Sequence, residues 1–198
     1  MILGTHNSGT SGKLVWWQRP FATLLNLTSR CQRKSIEEQV NDGVRLFNLQ
    51  VTFYNNEWHM SHGLCIYKEK LIEQLALMRA KATKRTPICF QLYLDKNFFC
   101  GQDKERFRKL VNDIRNYYCT QHFIMLSAWI EGSNEYPYKS RKKIDLCEKY
   151  WSLTWAKTCA ENLLDCLPLP KRHARRFNKK YKQECKSNYL MLDFYDIE

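Results

Sequence analysis

The sequence lacks an apolar run close to the roughly 20 residues that a membrane-spanning helix needs. It also lacks, at its amino end, the basic segment followed by an apolar segment that is typical of a signal peptide. Its nine cysteines are an odd number and contain no CxxC pair, which argues against a zinc ribbon or a disulfide framework. We therefore expect mostly reduced, buried thiols and a cytoplasmic or peripheral-membrane location.

The composition shows no low-complexity tract and no internal repeat, so a disordered or solenoid protein is not indicated. Hydrophobic residues make up 44% and aromatic residues 14% of the 198 positions. This is enough apolar material for one domain with a real core, and too little chain for two. The sequence predicts a single domain over residues 1–198.

Positive charge is in excess and is unevenly distributed. The formal net charge is +12, and residues 139–186 hold fourteen Lys or Arg against five Asp or Glu. Such a segment attracts polyanions, either nucleic acid or the anionic face of a membrane, and charge alone does not choose between them. A well-solvated surface explains the same excess.

Apolar strands alternate with helical segments along the chain, which predicts a parallel sheet with crossover helices and hence an α/β fold. A Ser-x-x-Glu capping box at Ser35–Glu38 starts one helix, and Gly43 ends it. The other helices are predicted over 67–82, 104–118 and 171–186, and residues 10–34 are expected to be irregular. Strands are predicted over 1–5, 44–53, 57–60, 87–94, 123–130, 150–155 and 189–195.

Several polar residues stand at or near the carboxyl ends of these strands, the edge at which a barrel of parallel strands carries its active site. Two of them are histidines, His6 and His62, each beside a short strand and close to a glycine. Two imidazoles that meet across a barrel mouth suit phosphodiester cleavage, because each can gain or lose a proton near neutral pH. Loop histidines bonded to the backbone are the alternative interpretation. The other members of the polar set are Asn48, Gln50, Asp95 and Asp193.

Two further observations bear on this set. His59 and His62 have an odd spacing on a strand and should point to opposite faces, so a shared metal is not expected. Asp193 lies in an apolar strand and needs a partner, either a histidine or a basic side chain, because an unpaired buried charge is costly. Asp95 reads as a simple turn residue.

Four segments, in this order, resemble the catalytic X-domain of phosphatidylinositol-specific phospholipases C. They are Gly4–Ser8 (GTHNS), Ser35–Val51 (SIEEQVNDGVRLFNLQV), His59–Leu64 (HMSHGL) and Tyr189–Tyr195 (YLMLDFY). The resemblance runs through nearly the whole chain. It implies a TIM-barrel-like (β/α) fold, small or incomplete, and a phosphoric diester hydrolase or lyase that acts on a phospholipid-like substrate.

The resemblance also implies roles for three residues. His6 is similar to the general base that deprotonates the inositol 2-hydroxyl, and His62 is similar to the general acid for the diacylglycerol oxygen. Asp193 matches the carboxylate that orients the first histidine. The first product would be a cyclic inositol phosphate, formed by an intramolecular attack that proximity makes efficient.

The sequence departs from the family at two substrate-binding positions. Asn48 stands where the family has an aspartate, and Gln50 stands where bacterial members have a phosphate-binding arginine and calcium-dependent members a carboxylate. Asn7 fits the calcium-type pattern, but a calcium site prefers several charged oxygens, so no cofactor or metal is expected. Arg45 and Lys96 are the candidate replacement cations, although the spacing of Arg45 from Asn48 and Gln50 turns it away from the mouth.

Three functions therefore remain open. The first is a phospholipase C-like enzyme held on an anionic membrane by the basic segment, with Trp16 and Trp17 either inserted at the interface or packed in the core. The second is a catalytically impaired barrel that binds anionic headgroups or inositol phosphates, which the amides at 48 and 50 favour. The third, nucleic-acid binding, has no RNA-binding or zinc-finger motif in its support and is not expected. The oligomeric state cannot be read from the sequence.

Overall fold

The computed structural model describes residues 1–142, 144–149 and 170–196. The β-strands of these ranges are β1 (Ile2–Thr5), β2 (Leu46–Tyr54), β3 (Glu57–His62), β4 (Cys65–Lys70), β5 (Ile88–Leu94), β6 (Phe123–Ile130), β7 (Tyr138–Lys139), β8 (Leu146–Lys149) and β9 (Tyr189–Leu192). The helices are a 3-10 helix (Trp16–Phe21) and α1 (Ala22–Ser29), α2 (Ile36–Asn41), α3 (Leu71–Lys81), α4 (Lys104–Tyr117) and α5 (Pro170–Glu184). Within these ranges, no helix combines the length and apolar character needed to cross a bilayer.

All the strands belong to one curled sheet with the order β7-β6-β5-β2-β1-β9-β8. Neighbours from β6 to β8 along this order run parallel, whereas β7 is antiparallel to β6. The strands β3 and β4 form an antiparallel extension that pairs with β2. The sheet forms a half-barrel, so the expected α/β, incomplete TIM-barrel-like fold is confirmed.

Alternation along the strands produces two different layers. Outward-facing side chains of β2 and β5, such as Phe47, Leu49 and Phe90, are fully buried in the main core that the helices cover. Inward-facing Leu46, Cys89, Leu126 and Met191 form a second, smaller apolar cluster. Two residues further along β2 the inward positions become polar, so the interior of the half-barrel has an apolar floor beneath a polar wall.

Local signals set most of the helix positions. Ser35 and Glu38 make both hydrogen bonds of the capping box, and Gly43 adopts φ +92°, a left-handed conformation that favours glycine. The helix α4 buries Phe107, Leu110, Val111 and Ile114 on one side. The basic helix predicted at 171–186 is observed as Pro170–Glu184, beginning at a proline.

Three predictions of local structure need correction. Residues 67–70 belong to strand β4 rather than to the start of a helix, because the β3–β4 hairpin buries Tyr67. Residues 10–34 were expected to be irregular but contain the 3-10 helix and α1. Neither helix has a capping side chain from which it could have been predicted. The short strands β7 and β8 were not predicted. The predicted strand at 150–155 lies outside the described residues, as does much of the basic segment 139–186.

The orientation of β3 is a fourth difference between the sequence prediction and the structure. The sequence placed His62 at the carboxyl end of a barrel strand, but β3 runs antiparallel to β2, with Val51 opposite Met60. The hairpin carries the chain back along β2, so His62 approaches the polar wall from the side. The carboxyl ends of β1 and β9 bring His6 and Asp193 to the same wall.

Candidate active site

A pocket of about 490 Å³ opens on the inner face of the half-barrel. Its lining combines both histidines of the sequence prediction with amide, hydroxyl, aromatic and charged side chains. The lining residues are His6, Asn7, Asn48, Gln50, His62, Gln91, Tyr93, Ser127, Trp129, Glu131, Tyr136, Lys139 and Glu148.

His6 and Asp193 form an ion pair at the end of adjacent strands. The parallel register of β1 and β9 sets Thr5 opposite Leu192, so the next residue of each strand emerges at the same point. The Nδ1 atom of His6 lies 2.8 Å from Oδ1 of Asp193, and Asp193 is fully buried. Burial by itself lowers the pKa of His6, but attraction to Asp193 and the hydrogen bond between them outweigh it and raise that pKa to about 9.

The contact with Asp193 also decides which nitrogen faces the pocket. Because Nδ1–H donates to the carboxylate, proton exchange with a ligand would fall to Nε2 of His6. Cys31 also interacts with the His6 side chain. Gln32 fixes the pair from behind, because its Nε2 donates to the main-chain oxygens of His6 and Leu192 at 2.8 and 2.9 Å. An imidazole held in this way by a buried carboxylate has the arrangement that a positioned base requires.

His62 faces His6 across the pocket. The ring centroids are 6.3 Å apart and the rings are nearly perpendicular, at 79°. The Nδ1–H of His62 donates to the main-chain oxygen of Ser29 at 2.6 Å, which again leaves Nε2 toward the pocket. Both rings line the same pocket, so a phosphodiester bound there could contact one nitrogen of each imidazole.

Strand register aligns the polar wall into two rows. Asn48 pairs with Gln91, Gln91 with Ser127, and Ser127 with Lys139. One pleat higher, Gln50 pairs with Tyr93 and Tyr93 with Trp129. All seven residues line the pocket because successive inward positions on a strand are two residues apart.

The amide side chains at 48 and 50 are both engaged. The Oδ1 of Asn48 accepts from the Asn7 main chain at 3.3 Å, and its Nδ2 donates to Gln91 at 3.3 Å. The Nε2 of Gln50 donates to Asp95 at 3.0 Å and to Glu131 at 3.4 Å. Asn48 and Gln50 thus hold the wall together through hydrogen bonds.

Asp95 is a structural part of the site, not the simple turn residue that its sequence context indicated. It is fully buried, and its Oδ1 accepts from the Gly63 main chain at 3.3 Å, next to His62. Burial, followed by a hydrogen bond with Glu131, raises the pKa of Asp95 to about 7. The raised pKa of Asp95 favours its neutral form, which reduces the negative charge that a phosphate would meet.

The donor set of this wall does not fit calcium. Calcium takes about six to eight oxygen ligands, several of them charged. Asn7, Asn48 and Gln50 offer only neutral amides, and the Gln50 amide turns its NH₂ group to the nearby carboxylates. No step of the chemistry below is therefore assigned to calcium.

Neither predicted replacement cation reaches the pocket. Arg45 precedes β2 at the opposite edge of the sheet, where its guanidinium donates to the oxygens of Val40 and Val44, both at 2.7 Å. Its odd spacing on the strand is the physical reason for this orientation, as the sequence indicated. Lys96 is exposed beyond β5, its main-chain N–H bonded to Glu131 at 2.7 Å, and it is not among the lining residues.

Among the described residues, the Lys or Arg that lines the pocket is Lys139, which the sequence did not indicate. It lies on β7, whose two residues gave no strand signal of their own. Gln91 and Ser127 were also missed, although each is a polar residue inside an otherwise apolar strand and could have been found by that interruption. His59 does not join this site: its Nδ1 bonds to the main-chain oxygen of Tyr67 at 2.8 Å.

The fold has known counterparts. A double mutant of the phosphatidylinositol-specific phospholipase C from Staphylococcus aureus superimposes with a TM-score of 0.59 at 15% identity, covering 98% of this chain and 84% of that one. The phosphatidylinositol-specific phospholipase C from Listeria monocytogenes gives 0.58 at 16% identity, covering 98% and 87%. The sequence matches no family model and no curated protein. At identities this low, the structural similarity shows a shared fold and no more. This is the fold that the sequence resemblance predicted.

Proposed function

We propose that this protein cleaves the phosphoric diester of a phospholipid headgroup, with His6 as general base, His62 as general acid and Asp193 as the residue that positions His6. The observation that carries the proposal is the pair of imidazoles facing each other across the pocket, 6.3 Å between centroids, with one of them on a buried carboxylate. This is the geometry of proton transfer on both sides of a phosphorus atom. The solved structures of the same fold supply the substrate class by analogy.

The reaction proceeds in one balanced step. The Nε2 of His6 takes the proton of a headgroup hydroxyl, and that oxygen forms a bond to phosphorus. The bond from phosphorus to the diacylglycerol oxygen breaks, and the Nε2 of His62 gives this leaving oxygen a proton. The products are a cyclic phosphodiester and diacylglycerol, with one proton taken up by His6 and one released by His62.

Lys139 and the polar side chains of the same row stabilise the negative charge of the phosphate. Lys139 is the one Lys or Arg in the described wall of the pocket, and it continues the row formed by Asn48, Gln91 and Ser127. Amide and hydroxyl donors in a partly enclosed pocket stabilise a phosphate oxygen without a metal. In this proposal Lys139 takes over the role that the missing arginine plays in similar enzymes.

Exposed apolar side chains beside the pocket suit a membrane surface. Phe98 is 78% exposed, and Leu64 and Phe99 are also exposed. The loops that carry them are tied together, because Asn97 Nδ2 donates to the Gly63 oxygen at 2.8 Å, directly after His62. Large apolar side chains grouped at one rim are unusual for a surface that faces only water. We place the lipid interface here.

Trp16 and Trp17 have different surroundings, and each fits one of the two interpretations, insertion at the membrane interface or packing inside the protein. Trp16 is 74% exposed and fits an interfacial role. Trp17 is half-buried, donates to Tyr54 at 3.1 Å and packs edge-on against Phe99, 4.9 Å between centroids. It supports the exposed phenylalanines instead of inserting. The exposed basic residues of α5, among them Arg175, Arg176, Lys179 and Lys180, add attraction to anionic lipid.

A second candidate function is binding of anionic headgroups without turnover. It is favoured by the neutral residues at 48 and 50 and by the high pKa of His6, which leaves this base protonated at neutral pH in the free protein. A protonated His6 beside Lys139 attracts an anionic headgroup but accepts no proton. Slow catalysis and retained affinity would then go together.

Vesicles that contain phosphatidylinositol separate the two functions. Release of a cyclic inositol phosphate by the wild-type protein, lost in His6→Ala and His62→Ala, supports the enzyme. Co-sedimentation with these vesicles without release supports the binding module. Release that persists in both variants contradicts the proposed mechanism.

A further inference from the structure

A buried thiol lies between the two histidines of the site. Cys31 is 1% exposed, and its Sγ is 3.7 Å from Nδ1 of His62. Its Sγ, one ring nitrogen of His6 and a carboxylate oxygen of Asp193 all lie within 4.8 Å of one another. The proton transfers proposed above use the two histidines and the carboxylate and leave this thiol without a role.

The thiol is held in place by the same segments that hold the histidines. The main-chain N–H of Cys31 donates to Thr10 Oγ1 at 2.9 Å, and Thr10 Oγ1 donates to the Asn7 oxygen at 2.8 Å. Asn7 Nδ2 in turn donates to Cys31 Sγ at 3.5 Å. An amide N–H directed at sulfur favours the thiolate, which is the form of cysteine that binds metals. Burial, followed by the charge of Asp193, nevertheless raises the pKa of the Cys31 thiol, so metal binding displaces its proton.

The donor set is one nitrogen, one sulfur and one oxygen, on three segments that are fixed by hydrogen bonds. Zinc binds these three atom types at about 2.0–2.3 Å, which sets the ligand atoms roughly 3.5 Å apart around a tetrahedron. The widest separation in the set is at most 4.8 Å and would have to close by about one ångström, whereas the 2.8 Å contact between His6 and Asp193 would have to open. Calcium and magnesium prefer all-oxygen sites and are not suited to a thiolate.

We propose that His6, Cys31 and Asp193 form a binding site for a thiophilic divalent cation such as Zn²⁺, with the fourth coordination position turned to the pocket. Binding draws His6 and Asp193 onto the ion and separates them from each other. The site thus competes with the base function, and Zn²⁺ inhibits the reaction. This inhibition rests on the proposed function, whereas binding of the ion does not.

Cobalt reports the site directly, because a Co²⁺–thiolate bond gives a charge-transfer absorption in the near ultraviolet. The full chain, freed of metal by a chelator, is titrated with Co²⁺ and then with Zn²⁺ as competitor. We expect a charge-transfer band that Zn²⁺ abolishes, and we expect Cys31→Ser to lack the band and to bind Zn²⁺ at least about tenfold more weakly. His6→Gln should weaken Zn²⁺ binding while leaving the thiol in place.

Cys185→Ser is the matched control. Cys185 is a half-buried thiol outside the proposed site, and it interacts with Cys147 rather than with His6 or Asp193. This variant should keep both the band and the Zn²⁺ affinity. Absence of the band in the wild-type protein, or its loss in Cys185→Ser with retention in Cys31→Ser, overturns the site.

Activity is a separate readout. If phosphatidylinositol is cleaved, micromolar Zn²⁺ should inhibit the wild-type protein and a chelator should restore it. If no cleavage is found, the cobalt titration still decides the metal site, so failure of the proposed function and failure of this inference are distinguishable. Cleavage that Zn²⁺ leaves unchanged, while the band is present, overturns the inhibitory role.

Discussion

The Nδ1 atom of His6 lies 2.8 Å from Oδ1 of Asp193, across 187 positions of sequence. The two residues follow paired parallel strands, so the sheet itself holds them together. The buried carboxylate stabilises the protonated imidazole and fixes which nitrogen faces the pocket. In the proposed mechanism, the facing ring of His62 supplies the general acid.

Removal of either imidazole should abolish cleavage. We expect His6→Ala and His62→Ala each to lower the cleavage rate of phosphatidylinositol by roughly 10²–10⁴-fold, the range typical of a general acid or base. Release of cyclic phosphate from vesicles is the measurement. His122→Ala is the matched control, since His122 precedes β6 at the far edge of the sheet, and it should retain full activity.

The Asp193 carboxylate should govern the pH dependence. Because it raises the pKa of His6 to about 9, the pH profile of kcat/KM, which requires a deprotonated His6 and a protonated His62, should contain a limb near that pH in the wild-type protein. Asp193→Asn should move this limb to lower pH and reduce the maximum rate by roughly 10²–10⁴-fold, because the amide neither stabilises the imidazolium nor holds the ring. A limb at the same pH in both proteins would contradict the assignment of His6 as the base.

The same pair should make stability depend on pH. The pKa of His6 is higher in the folded protein, about 9, than the ordinary value of 6.5. Its contribution is therefore fully present below pH 6.5 and is lost as pH rises toward 9. The wild-type protein should have a higher free energy of unfolding than His6→Gln at pH 6. This difference between the two proteins should be smaller at pH 10 by on the order of 3 kcal/mol. Urea unfolding at the two pH values tests this, and equal differences would contradict it.

Lys139 should contribute to substrate binding. Lys139→Ala removes the positive charge from the row of Asn48, Gln91 and Ser127, and we expect KM to rise by about tenfold or less because the side chain is solvent-exposed. Lys142→Ala is the control, since Lys142 is an exposed lysine of the same segment that does not line the pocket. An equal change in both variants would indicate general attraction to anionic lipid rather than a phosphate contact.

The rim phenylalanines should control membrane attachment. Phe98→Ala and Phe99→Ala should each weaken sedimentation with vesicles several-fold, as burial of an aromatic side chain at an interface stabilises binding. Cleavage of a water-soluble substrate analogue should be unchanged. Tyr117→Ala serves as the control, because Tyr117 is equally exposed but ends α4 at the opposite edge of the sheet.

Calcium removal should have no effect on cleavage. The amides of Asn48 and Gln50 supply none of the charged oxygens that calcium prefers. Addition of EGTA to the vesicle assay should leave the rate within experimental error of the untreated protein. A large loss of activity that calcium restores would show that the pocket rearranges to form a site.

Local sequence determined much of the architecture. The apolar runs of β5 and β6, the amphipathic α4 and the capping box at Ser35 placed these elements within a residue or two of their observed bounds. The three residues with proposed proton-transfer roles came from motifs whose order resembles a known family. These features are readable because side-chain periodicity and capping depend on neighbours only a few positions away.

Only the tertiary structure decided which side chains meet. Residue chemistry left Asp193 with either a histidine or a basic partner, the family resemblance implied His6, and strand pairing brings these two residues together. The sequence also gave no reason to place Cys31 beside both histidines or Lys139 in the wall, and it proposed Arg45 and Lys96 instead. These outcomes follow from the register of parallel strands far apart in the chain, and no local pattern encodes that register.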